Sequence, residues 1–192
     1  MILKPRLEDI KTIGYYLGKI IVVLGLTMLI HIIIGLAFGE INPVLDFLIS
    51  IEIALIFGLI LIKLCFTEKE LNWMQGMIVV SLSWLVAMLL GAIPLYLSGH
   101  WKSYLDACFD AMSGFATTGL VLVQDLDHLS YTHNLWRHLT MFIGGQGIVI
   151  VALSFFVRGF SGAFKMYVGE ARDERVLPNV IHTSRFIWLV SI

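Results

Sequence analysis

Four long apolar runs organise this chain, with almost none of the strict alternation that marks half-buried strands. They cover residues 13–38, 44–62, 73–97 and 135–157, and a fifth run begins at 185. Crossing a bilayer as a helix takes about 20 apolar residues, so each of the four complete runs reads as a span. The first exceeds the about 7–15 residues of a signal-peptide core and reads as a retained span. Between the first two lies Gly39-Glu40-Ile41-Asn42-Pro43, with Pro43 suited to a first helical turn. Residues 63–72 form a polar loop containing Glu68-Lys69-Glu70.

The pattern changes between the third and fourth runs. Residues 104–123 are apolar but too broken by glycine and polar positions to cross. Ser103-Tyr104-Leu105-Asp106 fits an S-x-x-D cap and predicts a helix start. Within the predicted half-helix segment 103–115, the helix that follows the cap and runs to about Gly114 has about 11 residues and would be roughly 16 Å long, about half the hydrocarbon core. Entering and returning on one side makes it re-entrant, and lipid tolerates such backbone only where protein or water encloses it.

Gly114-Phe115-Ala116-Thr117-Thr118-Gly119-Leu120 follows this half-helix. A cation leaving water needs its hydration oxygens replaced, and stacked carbonyls with threonine hydroxyls do this in potassium filters. Carbonyls lining a narrow tube need unusual backbone angles, which glycine reaches without steric cost. The partially negative C-terminus of the half-helix points at the same place and favours a cation. Thr117, Thr118 and Gly119 are therefore the candidate ion-binding residues, with Ala116 beside them. The bland alternative is a glycine-broken external loop with incidental threonines.

Composition supports an integral membrane protein. Hydrophobic residues make up 58% of the 192 and charged residues 14%, against about 25% charged in soluble domains; mean hydropathy is +0.88. The net charge of -1 says little, and no basic patch suggests nucleic acid. Cys65 and Cys108 fit no metal or redox spacing and read as small apolar residues. With the N-terminus inside, eleven cationic residues fall on the cytoplasmic side: Lys4, Arg6, Lys11, Lys19, Lys63, Lys69, Arg158, Lys165, Arg172, Arg175 and Arg185. Only Lys102 and Arg137 fall outside, a positive-inside bias that predicts a cytoplasmic N-terminus. Trp73, Trp101, Trp136 and Trp188 lie near span ends and read as interfacial anchors.

Other polar residues have weaker readings. His31 and Glu52 are ionisable at membrane depth, and a hydrogen bond between helices is favoured over proton coupling for each. Gly144, Gly145 and Gly147 flank Gln146 in the fourth run, as a hinge below the filter or as tight helix packing. Arg137 reads equally as an organiser of the pore mouth and as an interfacial anchor. Asp125, Asp127, His128, His133 and His138 lack zinc spacing and read as a hydrated external loop. Residues 170–178 are a charged connector. No G-x-S-x-G or H-E-x-x-H points to an enzyme.

Three stretches resemble the Trk/Ktr/HKT potassium transporter superfamily, in its TrkH-like branch. Leu105-Asp106-Ala107-Cys108-Phe109-Asp110-Ala111-Met112-Ser113-Gly114-Phe115-Ala116-Thr117-Thr118-Gly119 is similar to the family's half-helix and filter. Arg137 with Phe142-Ile143-Gly144-Gly145-Gln146-Gly147-Ile148 is similar to its next span. Leu177-Pro178-Asn179 through Thr183-Ser184-Arg185-Phe186-Ile187-Trp188 is similar to its entry into the next repeat. The resemblance implies an all-α integral membrane fold: two N-terminal transmembrane helices (1–72), one membrane–pore-loop–membrane repeat (73–160), a cytoplasmic linker (161–184) and the start of a second repeat (185–192). It implies potassium uptake across the bacterial inner membrane through a Thr-Gly filter, with K+ as the transported ion and no organic cofactor. Asp110, Gly114, Gly144 and Gly145 would support the pore. Implied partners are the bilayer, a second copy in a homodimer and a cytosolic nucleotide-binding subunit of TrkA/KtrA type, with no nucleic acid. Ala116 stands where the family often has a first threonine, and Leu120 where a small residue is common. A pore needs four filter strands and this chain has one, so it reads as a fragment or a truncated gene. The competing reading is a non-conducting relative or accessory scaffold.

Overall fold

The computed structural model describes residues 7–147. Among them the secondary structure is entirely helical: α1 (Leu7–Thr27), α2 (Leu29–Phe38), α3 (Ile41–Leu64), α4 (Trp73–Leu97), α5 (Tyr104–Phe115) and α6, which begins at 131 and is helical through 147. The chain forms two compact units, Met1–Met141 and Phe142–Ile192. The expected linker and the start of a further repeat lie outside the described residues.

Among the described residues, three segments are long and apolar enough to cross a membrane: Glu8–Phe38, Ile41–Leu64 and Trp73–Leu97. The protein is an integral membrane protein of all-α class. The first span starts six residues or so before the apolar run, because Leu7 to Lys11 are helical though amphipathic. It tightens where α1 meets α2. There the Thr27 hydroxyl donates to Leu24 O at 2.7 Å, and the Met28 amide to Gly25 O at 3.2 Å. Both are three-residue contacts, tighter than α-helical ones.

In the first unit α1 packs on α3 and α4, α3 on α4, and α4 on α5. The α1–α3 approach depends on missing side chains: a Cβ on Gly18 would lie 2.8 Å from Gly58 O. Small residues replace the hydrophobic effect as the means of packing when the solvent is lipid. Asn72 and Gln75 form a reciprocal capping box at the start of α4, and Gln75 Nε2 also donates to Asp9 Oδ1 at 2.8 Å. The many exposed Leu, Ile and Phe on α1–α4 are the surface expected to face lipid.

Two sequence expectations need correction here. Trp101 and Trp136 are not interfacial anchors: they are 4% and 0% exposed, and both indole N–H groups are hydrogen-bonded inside the unit. Trp73, 39% exposed, lies at the start of α4. Among the described residues, His31 and Glu52 do not make the expected bonds between helices. His31 is fully buried, stacked on Phe47 (4.6 Å between ring centroids) and edge-on to Trp136, and neither ring nitrogen has a hydrogen-bond partner among the described residues. Glu52 lies exposed on α3. Position along the chain says how deep a residue sits, not which face of its helix carries it.

Candidate functional site

The half-length helix α5 is capped as the sequence predicts. Ser103 Oγ accepts from the Asp106 amide at 3.2 Å, and Asp106 Oδ2 accepts from the Ser103 amide at 3.1 Å. Two orphan donors are satisfied, and Asp106 places negative charge at the positive end of the helix. Gly114, near the other end, is where α6 touches α5: a Cβ there would lie 2.4 Å from Thr140 Oγ1.

The helix ends in a Schellman arrangement. The Thr118 amide donates back to Ser113 O at 2.8 Å and the Thr117 amide to Gly114 O at 2.9 Å. This geometry needs a left-handed residue, usually glycine. Here that residue is Thr117, with φ of 53°. Gly119, two residues on, has φ of 78°. Thr117, Thr118, Gly119 and Leu120 are all exposed, and Ala116, the helix C-cap, is half-buried. The chain leaves the helix abruptly and presents Thr-Thr-Gly as an irregular strand at the partially negative helix end.

The return path is tied down by Asp110, itself 6% exposed. Asp110 Oδ2 accepts from the Leu122 amide at 3.3 Å and from Trp101 Nε1 at 2.9 Å. The Gln124 amide donates to His100 O at 3.3 Å. Arg137 of α6 faces the same carboxylate, with Nε 3.6 Å from Asp110 Oδ1. That is an ion pair longer than a hydrogen bond. Arg137 thus lies beside the carboxylate that ties down the loop. Phe115 packs edge-on to Trp84 and Trp136, and Trp136 Nε1 donates to Gly91 O at 2.9 Å. The loop is thus held between α4 and α6.

The expected residues are thereby distributed as follows. Asp110, Gly114, Ala116, Thr117, Thr118 and Gly119 belong to one helix–strand element. Gly144 and Gly145 are helical residues of α6 in the second unit. The residue that sequence reasoning missed is Glu40. Its Oε1 accepts from the Tyr131 amide at 2.9 Å, and its Oε2 accepts from the Thr132 amide at 3.0 Å and the Thr132 hydroxyl at 2.6 Å. Burial pushes this carboxyl's pKa up, but the three donors and nearby His133 outweigh it and hold the pKa below the usual value. Its position in a short turn, 91 residues from its partner, gives no local signal.

The fold is that of an all-α integral membrane protein in which a capped half-length helix ends in an exposed Thr-Thr-Gly strand. Residues 45–192 match the TrkH family, described as cation transport protein, and the chain belongs to that family. It is 37% identical over 183 residues to an uncharacterized cation transporter of Methanocaldococcus jannaschii, covering 95% of this chain and 38% of that protein. It is 28% identical over 180 residues to the Trk system potassium uptake protein TrkH of Halomonas elongata, covering 91% of this chain and 37% of that protein. It is 24% identical to the Trk system potassium uptake protein TrkG of Escherichia coli, with 95% and 39% covered. The crystal structure of the potassium transporter TrkH from Vibrio parahaemolyticus shares the fold. Its TM-score is 0.74 at 21% identity, over 94% of this chain and 36% of that one. The chain therefore spans less than two-fifths of the relatives it matches.

Proposed function

We propose that this chain takes part in potassium uptake, as the portion of a Trk-type protein that supplies one strand of a selectivity filter. The observation that carries this reading is the helix end at Thr117. A capped half-length helix stops abruptly, and Thr117 and Gly119 hold positive φ in an exposed strand facing the helix's negative end. Such a strand can offer backbone carbonyls and threonine hydroxyls to a dehydrated cation. Thr117, Thr118 and Gly119 line the ion path; Ala116 contributes a carbonyl but no hydroxyl. Asp110, Gly114, Gly144 and Gly145 support the pore. The relatives named for potassium uptake support potassium as the ion.

On this reading the protein sits in the bacterial inner membrane with its N-terminus in the cytoplasm and the filter strand facing out. Residues 1–72 form a two-span extension, 73–160 the first pore repeat, 161–184 a cytoplasmic linker and 185–192 the start of the next repeat. The whole protein pairs as a homodimer and docks a nucleotide-binding regulatory subunit of TrkA/KtrA type from inside. The test is rubidium and sodium uptake by the full-length protein in cells lacking their own potassium uptake. Gly119→Ser puts a side chain where φ is 78° and should lower the preference for rubidium over sodium by about 10-fold or more. An unchanged preference refutes the filter assignment.

A further inference from the structure

Glu40 lies outside the segment that carries the filter reading, in the turn between two N-terminal spans, yet its carboxylate closes the first turn of α6. Three donors converge on it from Tyr131 and Thr132. A helix N-terminus leaves its first amides without partners and carries partial positive charge, so an anion there is stabilising on both counts. Ser130 caps the same turn from within, accepting from the His133 amide at 3.1 Å. The helix end is therefore held twice, once locally and once by the N-terminal hairpin. Thr132 is fully buried, and its hydroxyl is packed tightly against Gly35, where a Cβ would come within 3.2 Å of it.

What α6 carries beyond this point matters for the loop. Trp136 is bonded to Gly91 of α4, Arg137 faces Asp110, and Thr140 sits against Gly114. Asp110 in turn holds the Leu122 amide just past the Thr-Thr-Gly strand. Fixing the first turn of a rigid helix fixes the register of the residues one to two turns later. We infer that Glu40 is a positioning residue for Thr117-Thr118-Gly119, acting through α6 and the Arg137–Asp110 pair. The N-terminal hairpin is then part of what sets ion preference. This rests on the filter reading above.

The experiment compares rubidium and sodium uptake per molecule of membrane-inserted full-length protein for the wild type, Glu40→Gln, Glu40→Asp and Thr132→Val. Glu40→Gln keeps the shape but turns an amide N–H₂ toward groups that also donate, and should reduce the rubidium-over-sodium ratio by about 5-fold or more. Thr132→Val removes one donor of three and should give a smaller drop. Glu40→Asp keeps the charge and should recover part of the ratio. A role confined to stability would lower the amount of protein while leaving the ratio per molecule unchanged, and that result overturns the proposal. Should Glu40→Gln fail to accumulate, Thr132→Val decides, and an unchanged ratio is again fatal. Gly119→Ser, run alongside, separates the two ideas. If it shifts the ratio and the Glu40 variants do not, only the positioning role fails. If neither does, the filter reading has failed.

Discussion

At Thr117, a β-branched residue holds a φ of 53°, a region that such side chains rarely enter. Holding it there costs about 1–3 kcal/mol, and such strain tends to collect at functional sites. Glycine would meet the same backbone demand without that cost, as it does at most Schellman ends. The Thr117→Gly variant should therefore show a thermal midpoint equal to or above the wild type, while its rubidium-over-sodium preference falls. A midpoint several degrees lower would mean that no strain is stored at this residue. The sequence displayed Thr-Thr-Gly and drew attention to Gly119. It did not show that Thr117 also takes a left-handed angle. That depends on the one residue at which the helix stops, which local pattern resolves only to within a residue or two.

Among elements, α4 and α5 were readable, and the contacts between α5 and its neighbours were not. Its start is encoded by Ser103 and Asp106, and its shortness by the break in apolarity after Gly114. What α5 rests on is a long-range matter. Nothing near Gly114 announces Thr140, Glu40 gives no hint of Thr132, and Trp136 looks like an anchor until its indole is found on Gly91. Replacing Gly114 by Ala forces a methyl to within 2.4 Å of Thr140 Oγ1 and should destabilise the protein by about 1–3 kcal/mol. Adding Thr140→Ala removes the offending oxygen and leaves the nearest side-chain atom at 3.3 Å. The double variant should therefore regain part of the lost stability in a thermal unfolding assay. A purely additive loss would show that the two residues do not meet as described.

For the whole molecule, the apolar runs alone sufficed to identify a helical membrane protein, because lipid imposes one length on every span. The faces of those spans stayed hidden. A helix that is apolar all round gives no periodic signal for its buried side. The family match adds that the chain spans less than two-fifths of its relatives' length, and the Thr-Thr-Gly strand is exposed. On the proposed filter reading one strand cannot surround an ion, so residues 1–192 expressed alone should not restore growth at low potassium to cells that lack uptake, whereas a protein of its relatives' full length that contains them should. Growth with the short form would require several copies to assemble their strands around one axis.

Trp101 gives the Asp110 cluster a further property. Its indole N–H sits 2.9 Å from the same carboxylate oxygen that holds the amide of Leu122. The colour of indole emission follows the polarity and hydrogen bonding around the ring. The segment beside the proposed ion path therefore has a natural fluorophore clipped to its anchor point, so a rearrangement of that loop would be written into ultraviolet emission without any added label.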